Sequence, residues 1–104
     1  MDILKKKLDI ALQSIDETTD LFYQNKVNEG YKQFEETLTV LTDTVNEIFN
    51  YKSQGHELGI EESKLIEVLT KAMNAMEEKD ALLLSDILSY ELKELFQQII
   101  DTIA

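Results

Sequence analysis

The side chains able to do chemistry in this chain are few, and their spacing argues against most reactions. His56 is the only histidine and there is no cysteine. That removes thiol nucleophiles, thiolate metal sites and disulfides together. A di-iron bundle needs Glu-x-x-His pairs on two helices with glutamates on the other two. One histidine cannot supply both pairs, and Ser53 stands three residues before it. The carboxylate pairs Glu35–Glu36, Glu61–Glu62 and Glu77–Glu78 are adjacent in sequence. Neighbouring helical residues point about 100° apart, so such pairs read as solvated surface rather than a shared site. No Asp-x-Asp-x-Asp-Gly calcium loop, Gly-x-Ser-x-Gly elbow or phosphate-cradling glycine loop occurs. The chain is therefore read as a non-enzyme, with no catalytic residue, no cofactor and no metal site.

Four-helix phosphotransfer domains are of similar length and use one histidine, but the residues here depart from that pattern. Those domains carry the histidine mid-helix, with lysine and glycine in the next turn. His56 lies between Gly55 and Glu57, in a segment with a second glycine at Gly59. It reads as an exposed loop histidine.

One cluster stands out. Asp86 and Tyr90 are four residues apart and share a helix face, and Glu91 follows. Polar groups in so apolar a segment need partners if buried. Two readings stand side by side: Tyr90 packs its ring in the core and bonds through its hydroxyl, or Asp86, Tyr90 and Glu91 form a recognition patch. A second set of candidates is apolar: Met73, Met76, Leu83 and Ile87 are suited to an adaptable groove for a partner helix. Each has plain core as its alternative.

The charge balance narrows the partner. With 21 acids against 10 bases, all lysine, the formal net charge is −11. Nucleic-acid binders draw affinity from basic faces that displace counterions, and arginine is their preferred fork. Here the field repels phosphate and arginine is absent, so neither nucleic acid nor an anionic membrane is expected. Lys5, Lys6 and Lys7 form one basic cluster, read as a solvated helix start. The acidity favours solubility and attraction to a basic partner. No apolar run nears the roughly 20 residues that span a bilayer, and no signal core follows the lysines. A cytoplasmic location is expected.

The elements that must carry these residues are helical. The chain has 104 residues, 43% of them hydrophobic, with no proline and three glycines. That favours one domain, residues 1–104, of long uninterrupted helices. Leu4, Leu8, Ala11, Ile15, Thr18 and Phe22 alternate steps of four and three, and Ile3, Ile10 and Leu21 widen the stripe. Asn25-Lys26 interrupts it. Val27, Tyr31, Phe34, Leu38, Leu41, Val45 and Ile48 continue the pattern on a second helix that reaches Tyr51. The clearest loop is 53–59. Glu61 and Glu62 then suit the first turn of a third helix, whose predicted face is Leu65, Leu69, Met73 and Met76. Asp80 is a plausible N-cap for a fourth helix from Ala81 to near the end. That helix is apolar almost all round, which implies burial on several sides or a meeting with a second subunit.

The start at Lys79-Asp80, the stretch Leu84-Ser-Asp86-Ile-Leu-Ser-Tyr90-Glu91-Leu92 and the earlier Asn28-Glu29-Gly30-Tyr31 resemble an uncharacterised family of small helical proteins from Gram-positive bacteria. Its members carry Asp-x-Leu-x-Tyr-Glu-Leu in the last helix, often followed by proline; here Lys93-Glu94 follows instead. The resemblance implies a helical bundle and supplies no activity. Some such proteins are associated with motility genes.

The expected fold is an all-α, antiparallel, up-down-up-down four-helix bundle. The expected function is a small acidic interaction module, adaptor-like or chaperone-like, that binds another protein through a basic or helical segment. One concrete form is an export chaperone similar to the flagellar helical chaperones. A homodimer through the last helix is a further expectation. The alternative is a purely structural homo-oligomer with no external partner.

Overall fold

The computed structural model describes residues 2–104; Met1 lies outside the described residues. Four helices run α1 (Asp2–Tyr23), α2 (Val27–Ser53), α3 (Glu62–Glu77) and α4 (81–103). α4 is continuous but not uniform: an α-helical Ala81–Asp86, a π-helical Ile87–Leu92 and an α-helical Lys93–Ile103. Together they form the antiparallel four-helix bundle that the hydrophobic periodicity predicts, 41 Å long and 23 × 19 Å across.

Local chemistry explains each turn. α1 ends with Asn25 in the left-handed region (φ 63°). The Lys26 N–H donates to Leu21 O and the Asn25 N–H to Phe22 O, the pair of bonds that closes a Schellman cap. α3 ends the same way, with Lys79 at φ 57° and Asp80 N–H donating to Ala75 O. Asp80 then caps α4 by accepting from the Leu83 N–H at 3.1 Å. Between α2 and α3 the chain turns at Gly55 (φ 91°) and Gly59 (φ 79°), pinned by the buried Leu58. Gly59 sits against Thr102 so closely that a Cβ has no room. His56 is exposed, stacked on Tyr51 with ring centroids 4.3 Å apart.

Cross-helix bonds fix the topology. Lys7 reaches Asp43 and Ser14 meets Thr37, so α1 and α2 are antiparallel. Tyr23 meets Asp86 and Lys93 meets Asp16, which sets α4 antiparallel to α1. Lys71 reaches Glu91 across α3 and α4. Of the basic cluster at the start, Lys5 is paired with Asp9, Lys7 lies between Asp43 and Glu47, and Lys6 is exposed.

The α1 seam from Leu4 to Phe22 is buried as its spacing predicts. Ile3 and Ile10 are not part of it; both stand more than half exposed on the outer face. On α2 the buried line is Gly30, Phe34, Thr37, Leu41, Thr44, Ile48 and Tyr51. Thr37 and Thr44, not Leu38 and Val45, occupy the centre of the interface with α1. Thr37 Oγ1 lies 2.8 Å from Ser14 Oγ and 2.7 Å from Thr18 Oγ1, so small hydroxyls bonded to one another allow the helices to close up. Gly30 serves the same approach: a Cβ there would fall 2.5 Å from the Phe22 ring. On α3 the buried line is Leu65, Val68, Ala72 and Ala75, which displaces Leu69, Met73 and Met76 from the predicted face.

In α4 the buried residues are Leu84, Ser85, Ile87, Leu88, Leu92, Leu95, Phe96, Ile99 and Ile100, a stripe broad enough to face both α1 and α3. The π turn lies within it, with Lys93 N–H donating to Leu88 O, five residues back. Leu82 and Leu83 remain exposed.

Candidate functional site

The four seams of the bundle are not equivalent. Backbones approach closely between α1 and α2, between α3 and α4 and between α1 and α4; α2 and α3 have no comparable approach. Along this open side lies a furrow. Its deepest part, about 230 Å³, is lined by Phe34, Leu38, Leu41, Thr42 and Val45 of α2 and by Leu69, Ala72 and Met73 of α3. Toward the start of α2 a separate hollow is lined by Val27, Tyr31, Met76 and Lys79.

The walls follow from helical spacing. Tyr31, Leu38 and Val45 are seven apart on α2, one residue beyond the buried Gly30, Thr37 and Thr44. Leu69 and Met76 stand likewise beside Val68 and Ala75 on α3. Each helix therefore carries an apolar line for the core and a second for the furrow. Met73 is 36% exposed and Ile66, on the same face, 53%. The floor is shaped by Ala72, whose short side chain leaves the depth open.

The furrow's electrostatics are quiet. Besides apolar groups, the deep part is bordered by Thr39, Thr42, Asp43 and Asn46. The Thr39 and Thr42 hydroxyls donate to Glu35 O and Leu38 O of their own helix. Tyr31 packs edge-on against Phe22 with centroids 4.9 Å apart. Its hydroxyl is inaccessible and has no hydrogen-bond partner among the described residues. Burial pushes the Tyr31 pKa up, helped by the nearby Asp80 carboxylate. Among the described residues no group of three or more His, Asp or Glu side chains is arranged to hold a metal ion.

The residues singled out from sequence fall in different places. Met73 lines the furrow and Met76 the separate hollow at the start of α2. Leu83 is exposed on α4, away from it, and Ile87 is only 1% exposed, so Ile87 is core and offers no surface to a partner. Asp86 and Glu91 are engaged in separate cross-helix contacts. Asp86 accepts from the Tyr23 hydroxyl at 2.7 Å and Glu91 from Lys71 at 2.7 Å. They tie α4 to α1 and to α3 respectively, on opposite flanks. Tyr90 is 73% exposed, which overturns the reading that places its ring in the core. Tyr23 has a raised pKa, first through burial and then through its bond to Asp86.

Sequence spacing missed Leu38, Val45 and Leu69 as surface-forming residues. The signal was present: α2 and α3 each carry more apolar positions than one seam needs.

The chain belongs to the family described as Domain of unknown function (DUF8042), whose model matches residues 1–102. No curated protein and no solved structure matches the chain.

Proposed function

We propose that this family member is a small protein-interaction module, adaptor-like or chaperone-like, that takes an apolar segment of another protein into the α2–α3 furrow. The observation that carries this reading is the open seam itself, walled by Leu38, Val45, Leu69 and Met73. A bundle that needed only to be stable would bury these side chains, since each fully buried aliphatic residue contributes about 1.5–3 kcal/mol. Two methionines along α3 suit a surface that adapts to its occupant. No helix among the described residues is long and apolar enough to cross a membrane, and the reading sets the protein in the cytoplasm.

The test is affinity capture of the tagged protein from its own host, run beside Val45→Asp, Met73→Glu and Leu83→Glu. A stoichiometric partner that is lost with either furrow variant and kept with Leu83→Glu supports the reading. A partner kept by both furrow variants contradicts it.

A second reading has its own observation. Leu82, Leu83 and Tyr90 are exposed on α4 and would join two copies as a structural homo-oligomer. Under that reading, light scattering gives a dimer that Leu83→Glu dissociates.

A further inference from the structure

We infer that the occupant of the furrow is a single amphipathic α-helix from a different chain of net positive charge, which completes the bundle as a fifth helix. The inference rests on the furrow reading above and adds its conformation and charge.

The conformation follows from hydrogen bonding. An extended segment laid in the furrow would bring unpaired N–H and C=O groups against its walls, and buried backbone groups left unpaired are costly. The walls have little to offer them. The deep part is apolar but for Thr42 and Asn46, and the Thr42 hydroxyl is already donated to Leu38 O. A helix satisfies its own backbone and presents only side chains. The dimensions agree. From Phe34 to Asn46 is about 18 Å at 1.5 Å per residue, which accommodates roughly three helical turns. Leu38 and Val45 on one wall, with Leu69 and Met73 on the other, offer holes at helical repeat to a stripe at i, i+3, i+4 and i+7.

The charge follows from the whole molecule rather than the furrow. The walls are nearly neutral, so no fixed ion pair is required inside. The chain carries −11, and a second copy would bring the same charge against it. Long-range repulsion thus disfavours self-association at low ionic strength, and a basic helix is steered inward.

The experiment uses the full chain, with methyl-labelled Leu, Val, Ile and Met followed by NMR. It is titrated at low salt with three synthetic 18-residue peptides: a leucine–lysine amphipathic helix, its leucine–glutamate counterpart, and the leucine–lysine peptide with two central prolines. The leucine–lysine helix is expected to shift the methyls of Leu38, Val45, Leu69 and Met73. The glutamate and proline peptides should bind at least tenfold more weakly, and Val45→Asp should weaken the lysine peptide at least tenfold while Leu83→Glu leaves it unchanged. Equal furrow binding of the glutamate peptide overturns the charge assignment, and equal furrow binding of the proline peptide overturns the helix; in both cases the furrow reading survives. Shifts confined to Leu82 and Leu83, or no shifts with any peptide, overturn the furrow reading itself.

Discussion

The α1–α2 seam and the α2–α3 seam share a helix and differ in how that helix meets its neighbour. Toward α1, α2 presents Gly30, Thr37 and Thr44, small residues whose hydroxyls bond across the interface: Thr37 to Ser14 and Thr18, Thr44 to Lys7 O at 3.3 Å. Toward α3 it presents Tyr31, Leu38 and Val45, larger and more apolar, with no tight mate. The closed seam is thus the more polar of the two. Closeness is governed by size and by hydrogen-bond satisfaction, and the surplus of apolar surface lies where the bundle is open.

Substitutions that break this comparison divide by seam. The largest effect is expected on the closed side: Ile15→Ala, at a fully buried α1 position, should cost about 2–5 kcal/mol in chemical denaturation. Thr37→Val keeps the shape but strands the Ser14 and Thr18 hydroxyls, and should cost about 1–3 kcal/mol. On the open side the sign can reverse. Tyr31→Phe removes a buried hydroxyl that has no partner and should raise stability by about 1 kcal/mol. The same tyrosine sharpens the comparison through pH. The folded pKa values of Tyr23 and Tyr31 are raised above the ordinary 10.0. Their contribution is therefore fully present below about pH 10 and lost as pH rises through the folded values. Alkaline unfolding should shift upward in Tyr31→Phe. The smallest effect is expected at the furrow wall, where Val45→Asp and Met73→Glu should change stability by no more than about 0.5 kcal/mol.

Much of the fold is legible in the residues. The α1 seam, the Asn25 break, the glycine turn and the Asp80 cap all follow from local chemistry. Met73 is legible as a groove residue, but periodicity hides Leu38, Val45 and Leu69 for one physical reason. Periodicity assigns the most apolar line to the core, so Leu38 and Val45 outrank Thr37 and Thr44, and Leu69 and Met73 outrank Val68 and Ala72. A threonine belongs in a core when another hydroxyl lies opposite, and that pairing is a tertiary fact no single helix displays. The Asp86, Tyr90 and Glu91 cluster fails differently. Four-residue spacing puts Asp86 and Tyr90 on one helical face, and both lie near Tyr23; Asp86 is tied to the Tyr23 hydroxyl, Tyr90 keeps its ring in solvent, and Glu91 turns to Lys71.

The central claim, that the open α2–α3 seam is the face that meets a partner, is tested most directly by photo-crosslinking in the living host, with a photoreactive amino acid replacing Val45 in one strain and Leu83 in another. The account predicts one discrete crosslinked partner from position 45 and none from position 83. A crosslink from position 83 alone, or from position 45 only to a second copy of this chain, would contradict it.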